Sequence, residues 1–196
     1  MIKLSEEIKT RGEFADLCNS RQLFRAVELG VDVANFAVEF MEKWKGNEYW
    51  AVDPYVPTSF FTFDREADFQ LAILRLAKFN ARARVVRSTG KYFSKFLENR
   101  PFYKPPDTQV EFVYIDAEHE YEDVMNDLKE WWPRVSYSGI LAGHDFNLQC
   151  GGVAKAVTEF FIQEQRNVYL TQEINFPTSW YVYKTPGMYG LEEYHD

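Results

Sequence analysis

Apolar runs with strand character alternate with helix-periodic segments along almost all of this 196-residue chain, and that alternation restricts its fold more than any other feature. A strand at 23–30 leads into residues 33–44. There Val33, Phe36, Ala37, Phe40, Met41 and Trp44 recur at helical spacing and form one apolar stripe. Further strands are predicted at 47–55, 82–88, 110–117 and 139–146, the first of them closed by Pro54. Phe69, Ala72, Ile73, Leu76 and Ala77 mark a second helix; Tyr92, Phe93, Phe96 and Leu97 a third; Tyr121, Val124, Leu128 and Trp131 or Trp132 a fourth. Val153, Ala156, Val157, Phe160 and Phe161 mark a fifth. The chain closes with strand-like stretches at 167–174 and 179–185 that have no helix between them. Five β–α units imply a mostly parallel sheet with helices on both faces. A terminal pair without a crossover forms a hairpin and puts one antiparallel strand into the sheet. The expected fold is therefore α/β and doubly wound, with a mostly parallel seven-stranded sheet and a C-terminal antiparallel strand. It fills a single domain, 1–196, with 1–22 as an N-terminal extension and 185–196 as a tail.

Composition narrows the partners. Thirty acidic against 22 basic residues give a net charge of −8, which disfavours nonspecific binding to nucleic acid or anionic lipid. The most basic stretch, residues 81–91, reads as a strand with charged flanks. Cys18 and Cys150 have no CxxC neighbour and read as reduced thiols of a cytoplasmic protein. The N-terminus MIKLSEEIKT lacks the apolar core of a secretion signal, and no apolar run approaches the roughly 18 residues that span a bilayer. The oligomeric state stays open, a dimer being one option.

In a doubly wound sheet, ligands bind outside the carboxyl ends of the strands, where the strand order reverses. Those ends carry Glu28 and Gly30, Asp53, Ser88, Asp116, and His144 with Asp145. Gly30 permits close backbone approach at the first strand-to-helix turn. Asp53 ends the second strand, where a carboxylate can accept hydrogen bonds from a ribose diol. Alone, either residue fits an ordinary turn or a solvated acid; together they point to a nucleoside. The turn after the first strand reads G-V-D-V-A and lacks the second glycine of a dinucleotide fingerprint, and Asp32 would repel a pyrophosphate. Glu28 and Asp32 suit instead a phosphate-free cofactor carrying a sulfonium and an ammonium, S-adenosylmethionine. An NAD-linked oxidoreductase and a noncatalytic S-adenosylmethionine-binding module are the alternatives.

The run FVYIDAEHEY (112–121) and its continuation DLKEWWPRVSYSGILAGHDF (127–146) resemble the fourth- and fifth-strand motifs of class I S-adenosylmethionine-dependent methyltransferases. The chain is most similar to methyltransferase family 24, itself related to metal-dependent O-methyltransferases of the catechol and macrolide-sugar types. AVELG (26–30), AVDPY (51–55), GVAKAVTEF (152–160) and WYVYK (180–184) extend the match. The resemblance implies a Rossmann-like methyltransferase fold. It places Glu28, Gly30 and Asp32 around the amino-acid end of the donor, Asp53 on its ribose and Ser88 beside its adenine. Asp116 belongs to that binding set as well. It also implies a divalent cation between Asp116 and Asp145. Two positions depart from the pattern: His144 stands where the catechol-type relatives carry a carboxylate, and Ala34 replaces a glycine common in the first helix.

Methyl transfer to a hydroxyl needs something to take the acceptor's proton or to lower its pKa. His119, three residues beyond Asp116 at a strand exit, is the candidate general base, with Asp116 orienting it; His144 is a third candidate catalytic residue. Asp116, His144 and Asp145 are the candidate ligands of Mg²⁺, Mn²⁺ or Fe²⁺. A histidine that only hydrogen-bonds inside the fold is the bland alternative for His144. Neighbouring side chains on an extended strand point oppositely, so His144 and Asp145 face one cleft only if the strand end twists. The acceptor is expected to be a small hydroxylated molecule, a sugar among the options. The loops 146–152 and 55–63 are candidate walls of its pocket.

Overall fold

The computed structural model describes residues 1–57, 63–99, 109–147, 151–173 and 178–185. Cys150, His195, the connector at 105–107, and parts of the loops 55–63 and 146–152 lie outside the described residues.

Eight strands form one sheet: β1 Ile2–Leu4, β2 Arg25–Leu29, β3 Glu48–Asp53, β4 Ala83–Arg87, β5 Val110–Ile115, β6 Val135–Gly143, β7 Val168–Leu170 and β8 Trp180–Tyr183. Their spatial order is β1-β7-β8-β6-β5-β2-β3-β4. Among the described residues six α-helices connect them: α1 Phe14–Ser20, α2 Asn35–Lys43, α3 Glu66–Leu76, α4 Gly90–Glu98, α5 Tyr121–Trp131 and α6 Gly152–Gln163. The five expected β–α units are all present, from β2 to α6. Strand β8 runs antiparallel to both β6 and β7 and sits between them, so the C-terminal hairpin contributes two antiparallel pairs.

The expectation of seven strands is corrected by β1, which pairs parallel with β7 from Ile2↔Val168 to Leu4↔Leu170. All three of its residues are exposed, so it carries no buried face and no alternation to read. Backbone pairing alone holds it. The segment read as an N-terminal extension also supplies α1, whose buried Phe14, Leu17 and Cys18 pack against the sheet. Strand β6 begins at Val135, ahead of the expected Gly139. Its register against β5 shifts between Val110 and Phe112, and Ser138 takes a positive φ of 70° at that irregularity.

Alternation along the strands divides the core in two. Val27, Leu29, Trp50, Val52, Val113, Ile115 and Leu141 face α4, α5 and α6. Ala26, Tyr49, Ala51, Phe112, Tyr114 and Ile140 face α1, α2 and α3. The second face is strongly aromatic: Tyr114 stacks on Phe36 at 3.9 Å and Phe40 on Phe112 at 5.1 Å. Most of the rings among the described residues are thus core.

Strand order reverses between β2 and β5, which are parallel neighbours with Glu28 opposite Tyr114. The β2–α2 turn lies at this switch. Its backbone enters the left-handed region at alternate residues: Gly30 (φ 82°), Asp32 (φ 49°) and Ala34 (φ 62°). Only the first is a glycine. A Cβ on Gly30 would lie 2.0 Å from the carbonyl oxygen of Asp116, so β2 and β5 can exit side by side only without a side chain there. Gly30→Ala is expected to lower stability by about 3 kcal/mol in urea unfolding, through backbone strain and that clash. Ala34→Gly trades relief of left-handed strain against chain entropy and should fall within about 1 kcal/mol of the parent.

Candidate active site at the strand ends

Asp116 follows β5, and its N–H donates to the Leu29 carbonyl at 2.8 Å, locking it to the end of β2. One strand away, β6 ends at Gly143. A Cβ there would lie 2.5 Å from the Ile115 carbonyl and 2.7 Å from the Trp180 ring, so Trp180 of β8 floors the site and requires glycine above it. His144 N–H then donates to the Ile115 carbonyl at 3.0 Å. Asp145 adopts a left-handed φ of 56°, which breaks the strand alternation and turns its carboxylate to the same side as the His144 ring. His144 Nδ1 lies 3.3 Å from Asp145 Oδ2 and 3.8 Å from Asp116 Oδ1.

His119 reaches the cluster from the β5–α5 loop, with Nε2 2.9 Å from Asp145 Oδ2. Gly152 opens α6 against this loop: its missing Cβ would lie 2.2 Å from the His119 carbonyl. The Gly151-Gly152 pair therefore lets α6 buttress the histidine. Asp116, His144 and Asp145 each offer one ligand atom, all within 4.8 Å of one another. A cavity of about 10 Å³ lies among Asp116, His119, His144, Asp145 and Trp180, about the room of a single water or ion.

Burial pushes Asp116 up to about 6, with Asp145 adding to the rise and His144 opposing it. Burial also acts upward on Asp145, but the hydrogen bonds of His119 and His144 outweigh it and hold that carboxyl well below the usual range. The Asp145 bond in turn raises His119 against partial desolvation. The two acids thus titrate in opposite directions, as expected where one carboxylate has taken both imidazoles.

The first two strand ends are built differently. Asp53 is buried; its Oδ2 accepts from the N–H groups of Val31 (3.0 Å) and Asp32 (3.1 Å), and its Oδ1 from Tyr55 N–H (2.7 Å). A carboxylate has about four acceptor positions, so one remains, on Oδ1. Asp32 is half-exposed and pairs with the guanidinium of Arg65, which also binds Asp68. Tyr55 Oη donates to the Asp32 carbonyl at 3.1 Å. Arg65 is not among the site residues expected from sequence, and Tyr55 enters there only through the AVDPY motif and the candidate pocket loop 55–63. The signal for Arg65 was a lone arginine among Asp64, Glu66 and Asp68 at a helix start, where anions are the rule.

Glu28 is 1% exposed, and its Oε2 accepts from Tyr49 Oη at 2.6 Å on the α2 side of the sheet. Burial raises its pKa well above the ordinary value, and Asp116 and Asp53 add to the rise. Ser88 follows β4, with its N–H bonded to the Asp53 carbonyl and its hydroxyl to the Thr89 carbonyl. Gly30, Asp32, Asp53 and Asp116 therefore border the β2–β5 switch, while Asp116, His119, His144 and Asp145 form the cluster beside it.

Residues 27–146 match the family model for the methyltransferase domain of family 24, which is more than half of the chain. The chain belongs to that methyltransferase family. This methyltransferase also shares its fold with solved structures of low sequence identity. One is the Bacillus cereus O-methyltransferase in complex with SAH, at 12% identity and a TM-score of 0.64, covering 92% of this chain and 84% of the other. The cofactor-bound Rv0187 from MTB is 13% identical with a TM-score of 0.64, covering 94% and 83%. A Clostridium thermocellum protein provisionally assigned as an rRNA methylase is 14% identical with a TM-score of 0.62, covering 90% and 98%. No curated protein matches the chain. The enzyme is a methyltransferase that uses S-adenosylmethionine as donor. Among the described residues, no helix is long and apolar enough to cross a membrane.

Because the folded-state pKa of Glu28 is raised, folded protein keeps its proton where the unfolded chain has lost it. Its contribution to stability is fully present below about pH 4.3. Above that it falls, by about 1.4 kcal/mol per pH unit, until the buried carboxyl ionises. Glu28→Gln should remove this slope, so the difference between variant and parent in urea unfolding at pH 5 and pH 8 isolates it; equal slopes would contradict a protonated Glu28.

Proposed function

We propose that this methyltransferase transfers the methyl group of S-adenosylmethionine to an oxygen of a small hydroxylated acceptor, at the cluster formed by Asp116, His119, His144 and Asp145. The observation that carries the reading is the convergence of Asp116, His144 and Asp145 within 4.8 Å, beside the Gly30 turn. The donor would supply an electrophilic methyl carbon. Asp53 would hold its ribose through the remaining acceptor position on Oδ1, Gly30 would let it approach the backbone, Glu28 and Asp32 would lie toward its amino-acid end, and Ser88 toward its adenine. Asp116 would serve both the donor and the cation.

Two oxygens and one imidazole nitrogen form a mixed set that suits Mn²⁺ or Fe²⁺, and Mg²⁺ if water completes the shell. A divalent ion held there would lower the pKa of the acceptor hydroxyl. The His119–Asp145 hydrogen bond favours a second route without a metal. In it Asp145 orients His119 as the general base that takes the acceptor proton, and stabilises the resulting imidazolium. The acidic composition fits a small molecule better than nucleic acid.

Donor-dependent methylation of a panel of hydroxylated small molecules, sugars included, tests the reading. With a metal, chelator-stripped protein should lose activity and regain it with one divalent ion, and Asp116→Asn and Asp145→Asn should stay about 100-fold or more below the parent. Full activity in chelator, abolished by His119→Ala, assigns the chemistry to the His119–Asp145 pair. Absence of donor binding in calorimetry sinks both routes.

A further inference from the structure

The segment before α1 brings a cation to the β2–β5 switch. Residues Arg11–Glu13 form a single 3₁₀ turn leading into Phe14, and on such a turn residues three apart share a face. Phe14 packs its ring on Tyr114 at 5.6 Å, and Tyr114 is both the register partner of Glu28 and two residues before Asp116. Arg11 therefore projects on the side of Glu28 and Asp116. Its charge is felt at Glu28, Tyr114 and Asp116, in each case favouring the ionised form.

The turn is fixed from several sides. Glu13 Oε2 accepts from the N–H groups of Lys9 (2.6 Å) and Thr10 (3.1 Å). Glu173 Oε1 accepts from Arg11 N–H at 2.5 Å, and Lys43 Nζ donates to the Gly12 carbonyl at 3.1 Å. Yet the Arg11 side chain, half-buried in an acidic site, has no hydrogen-bond or ion-pair partner among the described residues, whereas every other described arginine has one. The other acids nearby are already satisfied: Asp32 by Arg65, Asp53 by backbone N–H groups, Asp145 by the histidines. A half-buried arginine on a fixed backbone turn, its guanidinium without a counterion among the described residues, is prepared for an anion.

We propose that Arg11 takes the carboxylate of the donor's amino-acid end, forming with Asp116 a site for a zwitterion. An α-amino acid carries ammonium and carboxylate on one carbon, so its receptor must present an acid and a cation side by side, which this corner does. The inference rests on the S-adenosylmethionine reading of the site and adds the residue that selects the donor's carboxylate.

The test is calorimetric, with S-adenosylmethionine and its decarboxylated form, which keeps the nucleoside, sulfonium and ammonium, as probes. Arg11→Ala should weaken S-adenosylmethionine binding about 10- to 100-fold and leave the decarboxylated probe unchanged. Arg11→Lys should recover part of the loss. Arg11→Gln, closer in shape, should repeat the alanine pattern and serves if Arg11→Ala does not fold. Equal weakening of both probes, or of neither, overturns the proposal while leaving the donor reading intact. Failure of the parent protein to bind either probe overturns the donor reading, and this inference with it.

Discussion

The contact of Gly30 with the Asp116 carbonyl is the constraint on which the site depends. It lets two parallel strands that lead in opposite winding directions end side by side, opening the crevice that this sheet order creates. Everything functional is measured from that crevice. The left-handed turn after Gly30 exposes N–H groups that Asp53 collects, and Asp116 carries the line of acids across to β6. The chain keeps this turn shape with aspartate and alanine at the later left-handed positions. The geometry is therefore maintained by its surroundings, Ala34 being fully buried and Asp32 tied to Arg65 and Tyr55.

Five carboxylates close to one another would repel, and the fold deals with each in a different way. Asp53 is solvated by backbone, Asp32 is paired with an arginine, and Asp145 is bound by two histidines. Glu28 is buried against a tyrosine hydroxyl, where the neutral form is favoured. Asp116 is left between these regimes, partly buried between the end of β2 and the histidines. Its position would let one residue serve a donor and a cation at once. A small charged ligand or a divalent ion would relieve the remaining crowding.

Legibility followed the physics of burial. The five β–α units could be read because their faces are buried and their periods are clear, from the Val33–Trp44 stripe to the run 110–115. The edge strand Ile2–Leu4 could not, since its order comes from hydrogen bonds to β7 that leave no trace in side-chain pattern. The polar strand ends were readable because acids and histidines are conspicuous against apolar strands. Their partners were not: Tyr49 reads as an ordinary strand tyrosine, and Arg65 and Arg11 as surface charge. Each gains meaning from a residue at least 17 positions away: Tyr49 from Glu28, Arg65 from Asp32, Arg11 from Glu28 and Asp116.

By itself, the sequence determined the winding of the sheet, the side of the sheet on which ligands bind and the residue types available there. These follow from local periodicity and from the cost of burying a charge, both written along the chain. Tertiary structure alone decided which of those residues meet. His144 and Asp145 face one cavity only because a left-handed backbone step at Asp145 cancels the strand alternation. Asp53 turns toward the Gly30 turn, and the Arg11–Glu13 turn is held by Glu173 and Lys43, only because distant elements pack there. Such meetings depend on long-range packing, and no local pattern encodes them.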